Sequence, residues 1–336
     1  MPSEDLPVTG SAWDLPAAPD ERRNAVHWAY RILLLREPES DESVAHLARK
    51  VGSARKLRDL LLKCTEARTQ PGFPILPSMN GTEPPQQVEV HAAPEDEERL
   101  FRRVQSVWHA LGKEQPHWSV ITDDAFRSEN IGATRDDFYA SGESNIATLR
   151  CTLERNGIDP ATLQTCLDFG CGVGRLSAAL ARDFGHVLAV DFSASHLAIA
   201  REAFEKLGLP NVTPRLIEQL QDIDVLPDVD LLVSLIVLQH NPPPVMAALL
   251  ARLLGKLNPG GVAVIQLPTY LPGGYRFRIA EYAPAKDEIE MHALPQREVF
   301  AIACAAAVDV LEVLEDTWTG YPVGSRSNTF VFQRPR

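Results

Sequence analysis

From residue 165 onward the chain alternates short apolar runs with amphipathic ones. "TCLDF", "HVLAVDF", "VTPRLIE", "VDLLVSLIV" and "GVAVIQLP" read as strands. Between them, "GRLSAALARDF", "SASHLAIAREAFEKLG" and "PPPVMAALLARLLGKL" carry helical periodicity. Strands that alternate with helices predict an open parallel sheet covered on both faces, an α/β fold. A further helix, "PQREVFAIACAAA", precedes two last strands, "VDVLEVLED" and "SNTFVFQR", close enough in sequence for an antiparallel finish at the sheet edge.

The first strand runs into "LDFGCGVGRLS" (167–177), three glycines within five residues ahead of a helix. Glycine lets backbone approach a ligand closely and adopt positive φ, and a helix start offers unpaired N–H groups. Asp191 closes the second strand, 21 residues after Gly170, where an acid accepts both hydroxyls of a ribose. A dinucleotide fingerprint requires G-x-G-x-x-G. Here the glycines are Gly170, Gly172 and Gly174, and Arg175 stands at the third dinucleotide position. A nicotinamide oxidoreductase is therefore disfavoured.

The G-x-G-x-G loop with its spaced acid resembles motif I of the class I methyltransferases that use S-adenosylmethionine, and the resemblance extends over residues 145–333. It implies a doubly wound, mostly parallel seven-stranded sheet, order 3-2-1-4-5-7-6 with strand 7 antiparallel. S-adenosylmethionine is the implied cofactor. Asp168 would help hold the methionine amino group. Gly170, Cys171, Gly172 and Gly174 would pass beneath the methionyl and ribose parts, Asp191 would hold the ribose, and Phe192 would flank adenine. In "IEQLQDI", Gln219 and Leu220 are the expected adenine contacts. In "SLIVLQHNP", residues from Ser234 to Val237 would line the methionine side, with Gln239 and His240 at the substrate opening. "FYASGESN" resembles the aromatic-glycine segment ahead of motif I, so Tyr139 or Ser141 would touch the methionine carboxylate, and Trp118 would cover the site. Cys171 reads as small packing rather than a reactive thiol.

A sulfonium methyl is already electrophilic, so such an enzyme must align an acceptor and exclude water. An alcohol acceptor also needs a base, and histidine serves near neutral pH. His240 lies just past the fourth strand, where ligands of open α/β sheets collect; the alternative is that it only bonds a lid. His292 is the second candidate, in an insertion of 27 residues (268–294). The same insertion holds Tyr270, Tyr275, Arg276 and Arg278, suited to stack on sugars or grip anions, or else to form a lid or dimer contact. "HNPPPV" lacks the aromatic of the D/N-P-P-Y/F amine-methylating signature, and its prolines suit a helix start. No second acid accompanies Asp191, so no metal is expected. Oxygen is the expected target atom of a small or glycan-linked acceptor. A non-catalytic S-adenosylmethionine-binding or scaffold protein is the alternative.

Upstream, residues 1–20 are expected to be a disordered tail, 21–68 a small all-helical module, 69–94 a proline-rich linker, 95–145 a helical lid region, and 146–336 the cofactor-binding domain. Within the module, Ser40 or Asp41 is the expected cap of the second helix. "AYRILLLREPESDE" (29–42) resembles the A-Y-R-x-L-L-x-R-x-P repeat found beside glycosyltransferases and methyltransferases of bacterial surface-glycan clusters. "PHWSVITDDAFRSENIGATRDDFYASGESN" reads as irregular, a loop or short helices. The formal charge of −12, from 33 basic and 45 acidic residues, disfavours a nucleic-acid partner. Five cysteines with no C-x-x-C pair disfavour a disulfide scaffold or thiolate zinc site. No run approaches the roughly 20 apolar residues of a membrane span. "MPSEDLPVTG" lacks the features of a signal peptide, so a cytoplasmic protein is expected.

Overall fold

The computed structural model describes residues 15, 18–34, 36–63, 83–283, 289–316 and 325–336. It divides into two compact units, Met1–Pro77 and Ser78–Arg336. Most of the expected tail and the linker through residue 82 lie outside the described residues.

The first unit holds three helices, α1 (Pro19–Leu33), α2 (Asp41–Lys50) and α3 (Ala54–Lys63). Ser40 caps α2, its hydroxyl accepting from the Ser43 amide at 3.1 Å. What read as one second helix breaks at 51–53, and α3 folds back so that Leu57 and Leu61 join Val26, Tyr30, Leu34 and Val44 in a small core.

The second unit opens with β1 (Gln87–Val88), then α4 (Pro94–Glu114), α5 (Pro116–Val120) and α6 (Ile131–Arg155). The sheet domain proper follows as β2 (Thr165–Phe169), α7 (Arg175–Leu180), β3 (His186–Asp191), α8 (Ala194–Leu207), β4 (Val212–Leu216), β5 (Val229–Ser234), α9 (Pro243–Leu254) and β6 (Leu257–Tyr270). It ends with β7 (Arg276–Phe277), α10 (Gln296–Ala305), β8 (Asp309–Asp316) and β9 (Arg326–Gln333). Seven strands lie in the order β4-β3-β2-β5-β6-β9-β8, with β9 antiparallel to both neighbours. That is the expected 3-2-1-4-5-7-6 arrangement. Alternate residues feed two cores. Leu167, Phe169, Leu188 and Val190 pack with α4, α9 and α10, while Cys166, Val187, Ala189 and Val233 pack with α6, α7 and α8.

Two expectations are corrected. Residues 131–155 form one helix of 25 residues where irregular chain was expected. Its buried stripe of Phe138, Gly142, Ile146, Leu149 and Leu153 has helical spacing, but glycine and serines interrupt the apolar signal. Gly142 belongs to that stripe because a Cβ there would lie 2.7 Å from the Arg175 carbonyl. The last part of the proline-rich stretch is also packed. β1 pairs in parallel with β7, and the Gln86 side chain donates to Thr269 O and accepts from Leu271 N, both at 2.8 Å. This pairing draws the middle of the 268–294 insertion toward β1.

Candidate active site

A cavity of about 370 Å³ opens at the C-terminal ends of β2, β3 and β5, where open α/β sheets place their ligands. Its floor is the glycine loop. The Gly170 and Cys171 amides both donate to Val190 O, at 2.8 and 3.0 Å, so β2 stays paired with β3 as it enters the turn. Gly172 has φ +54° and a Cβ there would lie 2.6 Å from the Val120 side chain, on α5. A Cβ at Gly170 would collide with Val237. Protein side chains thus take part of the space that the bare backbone leaves, and the cavity takes the rest. Gly174, at φ +85°, starts α7 and faces Phe204 of α8 rather than the cavity.

Two carboxylates flank the loop. Asp191 accepts from the amides of Gly172 (2.8 Å) and Ser193 (2.7 Å). Burial pushes its carboxyl up, and the neighbouring His196 imidazole pulls it back. Asp168 is pushed up to about 6 by burial, against the Ser177 hydroxyl that donates to it at 2.6 Å and the Arg175 charge. Both acids are desolvated and held by few donors, a state that a cationic or hydroxyl-bearing ligand relieves. Burial also drives the Cys171 thiol well above its ordinary range, which agrees with packing rather than nucleophilic chemistry.

The wall opposite comes from the segment after β5. Ile236 has φ +61°, a strained conformation for a β-branched residue. Its amide is held by the Gln266 side-chain oxygen at 2.7 Å. The turn that follows presents Gln239 and His240. The Gln239 amide oxygen is buried without a hydrogen-bond partner. His240 Nδ1 lies 3.0 Å from the Glu290 carbonyl. A carbonyl only accepts, so Nδ1 carries the proton and Nε2 keeps its lone pair. Burial lowers this imidazole to about 4, so it is neutral at physiological pH. Trp108 of α4 lies against it, ring centroids 5.0 Å apart. Ile289 and Met291 of the insertion complete this apolar side.

Of the residues expected at the site, Asp168, Gly170, Cys171, Gly172, Asp191, Phe192, Gln239 and His240 line the cavity. The others are elsewhere. Tyr139 donates to the Val173 carbonyl at 3.0 Å and fastens α6 to the glycine loop. Gln219 is exposed and caps the turn Leu220–Ile223, and Leu220 is in the core. Ser234 donates to the Phe169 carbonyl at 3.2 Å between strands. His292 is buried behind the wall. Its Nδ1 is 2.9 Å from the Tyr275 hydroxyl and its amide donates to Gln239 O at 2.7 Å, so both residues brace the turn. Tyr270 donates to Pro84 O at 3.2 Å, Arg276 pairs with Glu281 on the surface, and Arg278 is exposed. The β1–β7 pairing turns this part of the insertion outward.

Sequence reasoning missed Trp108, His196, Arg175 and the 119–122 segment. Trp118, expected as the cover, sits beneath the Arg127 guanidinium at 4.9 Å, and Trp108 covers the cavity instead. His196 is held between Ser193 and Ser119, each at 2.8 Å, which ties α5 to the start of α8. Only Arg175 left a local sign, its place inside the glycine motif.

Residues 166–261, from β2 into β6, match the family model described as "Methyltransferase domain". The sheet domain is a class I methyltransferase domain that uses S-adenosylmethionine, and the chain is an enzyme of that type. No curated protein matches the chain. Similar solved structures include the magnesium protoporphyrin IX methyltransferase (ChlM) from Synechocystis PCC 6803 with bound SAH, at 18% identity, covering 70% of this chain and 99% of that one, TM-score 0.49. Another is the 1,6-didemethyltoxoflavin-N1-methyltransferase from Burkholderia thailandensis, at 16% identity, covering 73% and 92%, TM-score 0.48. A third is an S-adenosylmethionine-dependent methyltransferase from Clostridium acetobutylicum ATCC 824, at 16% identity, covering 61% and 96%, TM-score 0.44. Likeness at this level says nothing about the acceptor. Among the described residues, no helix is long and apolar enough to cross a membrane.

Proposed function

We propose that the enzyme methylates an oxygen of a small, largely apolar acceptor, with His240 as general base. One observation carries the reading. The His240 Nδ1 proton is committed to the Glu290 carbonyl, so Nε2 is a bare acceptor in the cavity wall. The residues present also fit the cofactor: two underdonated buried carboxylates, bare glycine backbone and an orphaned amide oxygen converge on one space. Asp191 would hold the ribose, Asp168 the amino group, and Phe192 one face of the adenine. When bound, S-adenosylmethionine supplies an electrophilic methyl group on a sulfonium.

The chain's own part is to align and to take a proton. Trp108, Ile236, Val237, Ile289 and Met291 exclude water and seat an apolar body. The Gln239 amide oxygen accepts a hydrogen bond from the acceptor and orients its hydroxyl toward His240. An imidazole lowered to about 4 is too weak to ionise a free alcohol beforehand. Proton transfer to Nε2 must therefore accompany carbon–oxygen bond formation, as the oxygen becomes strongly acidic. The Tyr and Arg side chains suited to a sugar or an anion lie outside the cavity, which favours the small apolar acceptor over a glycan-linked one.

The test is turnover with methyl-labelled S-adenosylmethionine across panels of phenols, aliphatic alcohols, amines and oligosaccharides. Transfer to a hydroxyl is expected, with kcat about 10²- to 10⁴-fold lower in His240→Ala and cofactor binding retained. Transfer to amines alone, or a kcat that ignores the substitution, would remove the proposal.

A further inference from the structure

Arg175 is the one cationic side chain, Lys or Arg, among the described residues that line the cavity. It is the first residue of α7, directly after the last loop glycine. Its Nη1 donates to Asn145 Oδ1 at 2.8 Å and to Ser141 Oγ at 3.3 Å, both neutral groups. Its Nε is buried and has no hydrogen-bond partner. Burial lowers the guanidinium below its ordinary range, against the pull of Asp168. A buried cation with an orphaned donor is costly unless something charged completes it. Its backbone is not free to retreat, because α6 lies against the Arg175 carbonyl at Gly142.

The ligand's charges show what is missing. S-adenosylmethionine carries an ammonium, a sulfonium and a carboxylate. Asp168 and Asp191 can answer the cationic and hydroxyl groups, but neither can answer the carboxylate. We propose that Arg175 anchors the methionine carboxylate of the cofactor, with Asn145 and Ser141 as positioning residues that hold the guanidinium plane. This rests on the cofactor assignment above and extends it to specificity: the site selects ligands that retain the α-carboxylate. A planar fork suits this task better than an ammonium, since it can meet both carboxylate oxygens at once.

Calorimetry on the full chain separates the possibilities. S-adenosylhomocysteine carries the carboxylate, and 5′-methylthioadenosine keeps the nucleoside and the sulfur but lacks it. Truncating one partner of a buried charge pair costs about 30-fold or more in affinity. Arg175→Gln should weaken S-adenosylhomocysteine by that factor and leave 5′-methylthioadenosine unchanged, which also shows that the cradle is still folded. Arg175→Lys should recover part of the loss. Full affinity of Arg175→Gln for S-adenosylhomocysteine would overturn the anchor, as would an equal loss for both ligands. If the unmodified chain bound neither ligand, the cofactor assignment itself would fall, and the anchor with it.

Discussion

Neutral His240 is the assumption on which the proposed chemistry depends, and it can be measured without knowing the acceptor. The ring is enclosed by Trp108 and by the Glu290 carbonyl, and burial takes it from 6.5 to about 4. Each unit of pKa difference is worth about 1.36 kcal/mol, so the shift corresponds to roughly 3 kcal/mol as an upper value. The sign follows from proton linkage. The folded pKa is depressed, so between about 4 and 6.5 the unfolded chain binds a proton that the folded one refuses. The contribution is complete above about 6.5 and is lost as pH falls toward 4. His117 and His292, also lowered to about 4 by burial, act in the same direction. Asp168, raised to about 6, acts oppositely, since its folded form takes up a proton first as pH falls. Only a difference between two proteins isolates His240. Urea unfolding of the unmodified chain and of His240→Gln, at about pH 7 and about pH 4.5, supplies it. The loss of stability on acidification should be smaller in the variant by about 2–3 kcal/mol. A histidine ring resonance missing from the variant should titrate near 4. A midpoint near 6.5, or an identical acid sensitivity of both proteins, would show that the imidazole is hydrated and refute the argument for a committed Nδ1 proton and a bare Nε2.

Asp191→Ala removes the carboxylate expected to hold the ribose; losing a charged acceptor costs about 1.5–3 kcal/mol, so calorimetry should find S-adenosylmethionine bound about 10- to 150-fold more weakly. Gly142→Val puts a branched side chain against the Arg175 carbonyl, where backbone cannot swing aside; overpacking of about 1–3 kcal/mol should lower the thermal midpoint by several degrees. Iodoacetamide mapping near pH 8 should find exposed Cys151 and Cys304 alkylated while buried Cys171, its thiol pushed well up, stays unmodified. His292→Ala should lower stability yet leave bound S-adenosylhomocysteine undisturbed, because the ring braces the wall from behind.

The order of the seven strands, the glycine turn, Asp191 at the end of β3 and His240 past β5 were all legible in the linear chain. Each depends on residues close in sequence: a run of apolar residues, a loop that must take positive φ, an acid at a fixed remove from it. Tertiary structure alone decided what faces them. Trp108 and Val120 reach the cavity from α4 and α5, fifty or more residues upstream of the glycine loop, through packing that no local spacing announces. The helix Ile131–Arg155 was hidden because its buried stripe includes Gly142, chosen for close approach to Arg175 rather than for apolarity. The aromatic and arginine side chains of the insertion looked like substrate contacts, yet the β1–β7 pairing sends Arg276 and Arg278 to the surface and keeps Tyr270 on Pro84. Arg175 shows both sides at once. Its place in the motif was plain from the sequence, but its role follows from being buried without an acidic partner, and burial is a property of the whole fold.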